Sequence, residues 1–347
     1  MVRDSNLARS LRCVCACVCV MMVGTVKADP LLYLGIHDAH DGGIGSDKHT
    51  DLAAAALFDV MRGEDGKTYL TIQLLNASGV PCANDYDVLT SMFFDLKTYE
   101  EKGVVGKTGR PVLIPVSAAL APANPVLASA VYDQLWETDD LAAQERAFAM
   151  SQILSRPSTL VKFKNDVYEY HDDSYDLSVR WGFSEDMSKY QSLGYFPDAP
   201  FPYYGIFASP YEGSFPKVLL NGSTATGTLI KDASFGLLSN GTDTGKMASN
   251  SDNTFYVDGS IIFTFLLPDD YDFVLDEDII LEDGTDRDGN ARTSVWFGYR
   301  HTLNADQSDP MIRGQDKGYI PIPEVPEPAT MSLLALGGLA LLRRRRK

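Results

Sequence analysis

Residues 51–75 constrain the fold more than any other stretch. "DLAAAALFDV" alternates, with Ala54, Ala56, Phe58 and Val60 on one face. "KTYLTIQLL" turns Leu70, Ile72 and Leu74 inward and Tyr69, Thr71 and Gln73 outward. Between them, Arg62-Gly63-Glu64-Asp65-Gly66 is turn chemistry. Two period-two runs joined by a short Gly-bearing loop predict an antiparallel hairpin. Such a hairpin has an apolar face that must be buried against another layer, so the protein is committed to a layered β architecture.

The remaining patterns extend that expectation. "DVLTSMFFDL" (87–96), "RPVLIPVSA" (110–118) and "DLSVRWGF" (176–183) read as strands, with Pro111 and Pro115 pushing the second to a sheet edge. "TFYVDGSIIFTFLLP" and "TSVWFGYRHTL" follow, the latter with Val295, Phe297 and Tyr299 on one face, and Asn221-Gly222 and Asn240-Gly241 signal turns. Many short strands with regular turns predict a mainly β protein, a β-sandwich or jelly-roll-like single domain over residues 51–320. One segment has helical period. Ala143, Ala147, Met150 and Leu154 recur after Thr138 or Asp139 as cap, and Arg156 precedes Pro157. The spacing predicts a small helical insertion over about 139–155. The rest of 119–165 reads as irregular.

The ends differ from the body. Arg3, Arg9 and Arg12 precede a 14-residue apolar run, Cys13 to Val26, and Val26-Lys27-Ala28 is a small-residue cleavage pattern. Residues 1–28 therefore read as a cleaved signal peptide, followed by a flexible N-terminal lead, 29–50. Four of the five cysteines would leave with that peptide, so the exported domain keeps Cys82 and forms no internal disulfide. At the other end, four prolines within 321–328 make an extended tether. The apolar run Met331 to Leu342 has 12 residues, short for a bilayer core of about 30 Å at 1.5 Å per residue. Arg343, Arg344, Arg345, Arg346 and Lys347 follow as stop-transfer charges that stay on the cytoplasmic side.

The net charge is −17. Residues 1–28 and 324–347 hold nine of the 30 basic and three of the 47 acidic groups, so the body 29–323 carries 21 against 44, a net of −23. That surface repels nucleic acid and anionic lipid, which argues against a nucleic-acid partner.

Pro326-Glu327-Pro328, the short apolar run and the terminal Arg cluster together resemble the PEP-CTERM sorting signal, over residues 324–347. The resemblance implies a C-terminal hydrophobic sorting helix and transient association with the inner membrane. It also implies processing by an exosortase, an integral-membrane Cys protease or transpeptidase of exopolysaccharide-producing Gram-negative bacteria. The translocon and the exosortase are then the expected partners, with exopolysaccharide as a further one. The cell surface, outer membrane or extracellular matrix is the expected destination. The body is similar to the XDD-type exosortase-dependent surface proteins. Leu74-Leu75-Asn76-Ala77-Ser78, Asp87 to Asp95, Pro115-Val116-Ser117-Ala118, "YYGIFAS" (203–209), "SIIFTF" (260–265) and "VWFGYRHTL" (295–303) carry that likeness. It departs at Ser91, at "FASP" and in the helical insertion, and it implies a fold and an address rather than a reaction.

Three constellations carry candidate chemistry. His37, His40 and His49, with Asp38, Asp41 and Asp47, have metal-ligand types, but the glycines at 42, 43 and 45 give no preorganisation. "EDGTDRDGN" fails as an EF-hand loop, with Gly284 and Val295 at its ends. Asp283, Asp286, Asp288 and Asn290 leave two readings: a looser surface Ca²⁺ site, or an Asp/Gly turn. The stretch 268–283 adds eight carboxylates, either raising cation affinity or forming a solvated edge. Tyr203, Tyr204 and Tyr211, in a Pro-rich loop, either stack on sugar rings or fold over as packing. G-x-S-x-G, H-E-x-x-H and P-loop patterns are absent from the sequence. The expectation is an exported, exosortase-processed surface or matrix protein with a structural or adhesive role, no catalysis of its own and no cofactor other than calcium. The alternatives are a glycan- or calcium-dependent binding module and a polysaccharide-active hydrolase with the same tail.

Overall fold

The computed structural model describes residues 29–37, 52–78, 81–82, 87–164, 167–171, 177–179, 181–185, 203–208, 219–220, 235–242, 254–279, 281–285, 291–293, 295–299 and 311–322. One compact unit spans Ala28–Pro321. The other, Met1–Lys27 with Ile322–Lys347, lies outside the described residues apart from Ile322.

The predicted hairpin forms. β1 (Leu31–His37) lies beside β2 (Leu52–Arg62), which pairs antiparallel with β3 (Thr68–Asn76), Phe58 opposite Ile72 and Arg62 opposite Thr68. The turn is closed by Gly63 N–H donating to Lys67 O at 2.8 Å. Asp65 accepts from Lys67 N–H at 3.1 Å and from the Tyr69 hydroxyl at 2.8 Å, which holds its carboxyl below the usual range.

Sixteen strands are described. After the hairpin come β4 (Leu89–Phe94), β5 (Ile114–Leu120), β6 (Thr159–Lys164), β7 (Val167–His171), β8 (Trp181–Glu185) and β9 (Tyr204–Ala208). β10 (Phe235–Leu238), β11 (Thr254–Asp258), β12 (Ser260–Leu266), β13 (Leu281–Thr285), β14 (Ala291–Thr293), β15 (Trp296–Tyr299) and β16 (Met311–Tyr319) complete them. The main sheet runs β5-β12-β3-β2-β1-β16-β15-β4-β10-β11-β6-β7, with β9 on β4 and β8 on β9. β5 closes one end, as Pro115 predicts. β10 and β11 run parallel, whereas the other pairs are antiparallel.

β16 is the corner. Met311 to Arg313 pair with β15, and Gly314 to Tyr319 pair with β1. At the changeover, a Cβ on Gly314 would sit 3.1 Å from the Phe297 ring and 3.2 Å from Val295 O, closer than a larger residue fits comfortably. The two halves of the sheet then face each other across one aromatic core. Phe58 meets Phe94 at 5.9 Å, Phe263 meets Trp181 at 5.0 Å and Phe265 meets Phe183 at 4.9 Å between ring centroids. This is the expected sandwich-like, mainly β domain.

Four local expectations differ. Part of the lead expected to be flexible is β1, which is buried between β2 and β16 because Leu31, Leu32, Tyr33 and Leu34 enter the core. β2 is buried on both faces from Leu52 to Phe58, so its alternation marks two packed faces rather than a wet and a dry one. Within 176–183, Leu177–Val179 is a 3-10 turn and β8 starts only at Trp181, where its pairing with β9 begins. The insertion holds two long helices, not one. α1 (Pro125–Leu135) is capped by Asn124, whose amide oxygen accepts from Leu127 N–H at 3.1 Å, with Pro125 in the first turn. α2 (Leu141–Ser155) is capped by Asp140, not Thr138 or Asp139, since only the Asp140 carboxylate reaches Ala143 N–H, at 3.0 Å. Ala143, Ala147, Met150 and Leu154 are buried as their spacing predicts. α1 packs on α2, α2 touches β3, and Gln134 donates to Lys317 O of β16 at 3.1 Å. A short turn of helix, α3 (Leu275–Asp278), follows β12. Among the described residues, no helix is long and apolar enough to cross a membrane.

Candidate functional site

Two polar clusters flank β4. The first lies where β3 ends and is built from Asn76 and Ser78, the residues of the "LLNAS" element. Asn76 is fully buried and its amide donates to Asp87 O at 2.8 Å and Leu237 O at 3.2 Å. Its carbonyl accepts from the Ser78 hydroxyl at 2.8 Å and the Tyr299 hydroxyl at 3.4 Å. Ser78 Oγ also accepts from Ala53 N–H at 3.0 Å. Asn76 and Ser78 thus tie β2, β10, β15 and the approach to β4 together at the end of β3. Cys82 sits beside it, with Asn76, Asp87 O and Ser239 around its sulfur. Burial pushes the Cys82 thiol up, which makes it a poor nucleophile. Burial likewise pushes the Tyr299 hydroxyl far up. These are properties of a brace, since each donor is spent on a backbone or neighbouring acceptor.

The second cluster follows β4 and is built on the turn-rich loop 97–110. Tyr99 N–H donates to Gly109 O at 2.8 Å, and the Glu100 carboxylate accepts Gly109 N–H at 2.7 Å, closing the loop on itself. Three cations project from it, each between a carboxylate and an aromatic ring. Lys102 Nζ lies 2.5 Å from Asp278 Oδ2 and 4.9 Å from the Tyr271 ring centre. Lys107 pairs with Asp270 and stands 5.0 Å over the Tyr99 ring. Arg110 makes a fork on Asp95, its Nη2 at 2.5 Å from Oδ2, and covers the Tyr203 ring at 5.1 Å. Asp278 Oδ2 also accepts Val274 N–H at 2.6 Å. Burial pushes the Asp95 carboxyl up, and Arg110 offsets part of that. Burial also pushes Tyr271 up, helped by the Asp278 charge.

The acid-rich stretch 268–283 is thereby partly neutralised from within. Asp270 and Asp278, two of its eight carboxylates, are held by the protein's own lysines. Among the described residues, no group of three or more His, Cys, Asp or Glu residues is arranged to hold a metal ion. Asp286, Asp288 and Asn290 lie outside the described residues, and Asp283 is described only as part of β13. His40 and His49 lie outside them too, and only the backbone of His37 is described.

The three tyrosines of the stacking expectation separate. Tyr204 is a core residue, stacked on Phe94 at 5.2 Å and on Phe183 at 6.1 Å, with its hydroxyl donated to Pro111 O. It has no face to offer a sugar, because β9 pairs with β4 along Tyr204 to Phe207 and turns the Tyr204 ring into the sheet interior. Tyr203 is half-buried under Arg110, and Tyr211 lies outside the described residues. An aromatic pair with one exposed member stands elsewhere, on the insertion. Tyr132 and Trp136 are 4.9 Å apart between ring centres, and Trp136 is 42% exposed. Their i, i+4 spacing was legible, but only once 125–135 is known to be helical. Asn124-Pro125 was the signal for that helix.

Pro326, Glu327, Pro328, Arg343, Arg344, Arg345, Arg346 and Lys347 lie outside the described residues. Residues 324–347 match the family model of the PEP-CTERM protein-sorting motif. Neither the curated proteins nor the solved structures include a match to this protein.

Proposed function

We propose that this protein, an exported exosortase target by virtue of its PEP-CTERM motif at 324–347, delivers a non-catalytic structural or adhesive domain to the cell surface or exopolysaccharide matrix. The motif is the observation that carries the reading. It makes this a membrane-transiting protein with an exosortase as its processing partner. The structural role is supported by how the described polar groups are used. Asn76, Lys102 and Arg110 are committed to bonds within the fold. The XDD-type likeness agrees with it, since Asn76, Ser78 and Tyr299, all from matching elements, meet in one brace.

The sorting step is tested by changing Pro326, Glu327 and Pro328 to Ala together and following tail removal by mass in the native host. Loss of processing is expected, and unaltered processing and delivery refutes the assignment. Release of sugar from the cell's own exopolysaccharide by the purified domain would refute the non-catalytic role. A second reading, a glycan-binding module, is favoured by the Tyr132–Trp136 pair, whose exposed Trp136 ring suits stacking on a pyranose. Trp136→Ala on a glycan array, with and without chelator, distinguishes it. Binding lost in the variant supports that module, and binding lost only with chelator supports a calcium site instead.

A further inference from the structure

The turn Ser239–Thr242 joins reactive chemistry to a buried contact. Asn240 precedes Gly241, and Thr242 N–H closes the turn on Ser239 O at 3.4 Å. Gly241 has φ +73°, and a Cβ placed there would meet nothing nearer than Pro81 at 3.8 Å, so solvent reaches its backbone. Asn240 is half-buried, with its Oδ1 3.5 Å from Arg156 Nη2. That guanidinium is already engaged by Asp258, at 2.5 and 3.0 Å. Beneath the turn, Thr242 Oγ1 accepts Cys82 N–H at 3.0 Å, and Ser239 Oγ lies 3.3 Å from the Cys82 sulfur.

We propose that Asn240-Gly241 is a site of spontaneous deamidation in the folded protein, converting Asn240 to isoaspartate and aspartate. Base removes the Gly241 N–H proton and the nitrogen attacks Cγ of Asn240. A new bond from that nitrogen to Cγ gives a cyclic imide, and the Cγ–Nδ2 bond breaks with loss of ammonia. Water then opens the ring at either carbonyl, leaving a carboxylate, and no oxidant or reductant is needed. Glycine matters because no Cβ obstructs the attack. Arg156 assists by standing against the carbonyl oxygen that gains charge. The product places a new carboxylate beside Arg156 in competition with Asp258. In the isoaspartate form, one extra backbone atom enters the turn that covers Cys82. The exported domain thus carries a site that records its age and loosens one corner of the fold.

The full-length protein is incubated natively at mildly alkaline and at mildly acidic pH and mapped by peptide mass spectrometry. Exchange of an NH for an oxygen is read at Asn240, and isoaspartate is read by electron-transfer fragmentation. Conversion at Asn240 that outpaces the asparagines lacking a following glycine, and that accelerates with pH, is the expected result. Asn240→Gln abolishes it, because the larger ring closes slowly, and Gly241→Ala slows it. Should the native protein leave Asn240 intact while the urea-unfolded protein converts it, the proposal is overturned. Labelling of Cys82 with a thiol reagent, read at its own peptide, should be faster in the converted fraction. Equal labelling of both fractions overturns the loosening of the turn.

Discussion

β4 is held in two different ways at its two sides. Toward the core, Phe94 meets Phe58, Tyr204 and Phe265, and the contact is apolar and non-directional. Beyond its end, Asp95 meets Arg110, and the same loop adds Lys102 on Asp278 and Lys107 on Asp270. The core gains by removing carbon surface from water, at about 25 cal/mol per Å². The charged clamp gains little by burial itself, because each desolvated ion must be compensated by its partner. The first sort of region tolerates loss of any one contact in proportion to volume. The second is sensitive to which partner is lost.

Perturbing each region separates these behaviours. The largest effect is expected from Phe94→Ala, which opens a cavity in the fully buried core and should cost about 3–5 kcal/mol in urea unfolding. Lys102→Met should follow at about 2–4 kcal/mol, since Asp278, at 1% exposure, loses its counter-charge while Lys102 retains slight contact with water. Adding Asp278→Leu to that variant should recover most of the loss, and a double variant as unstable as the single one would break the clamp argument.

Alkaline pH should act next, and mainly through the core. Burial raises the hydroxyls of Tyr204, Tyr271 and Tyr299 in the folded state. Their contribution is therefore intact below the ordinary tyrosine value of about 10 and falls as pH rises beyond it, because the unfolded protein ionises first. Absorbance titration should show these tyrosines ionising together with unfolding. Lys107→Ala should matter least, below about 1 kcal/mol, because both members of its pair with Asp270 are nearly half exposed and screened by water and salt.

The strands most legible in the sequence were those with strong local pattern. Leu70, Ile72 and Leu74 point inward as their alternation predicts, and Pro115 does mark the edge strand β5. Ala53, Ala55 and Leu57 did not announce their burial, because that depends on packing against both faces of β2, which its alternation does not reveal. Tyr204 looked like part of a loop platform because Pro-rich flanks suggest exposure. Pairing of β9 with β4 overrode that local signal. The acid-rich 268–283 stretch read as either a cation collector or a solvated edge, because its two lysine partners lie far away in sequence.

The sequence by itself determined that the protein is exported toward an exosortase, through a contiguous 24-residue motif, and the strand-rich class, through period-two alternation. Both are local and survive without knowledge of the fold. Only the tertiary structure decided how the charges and polar groups are spent. Lys102 and Asp278 are 176 residues apart, and the Asn76 amide reaches a carbonyl 161 residues away. Such pairings depend on strand order and on the corner at Gly314, and no spacing along the sequence encodes them. The physical reason is that burial and Coulomb energies are functions of distance in space, while sequence patterns report only what is near in residue number.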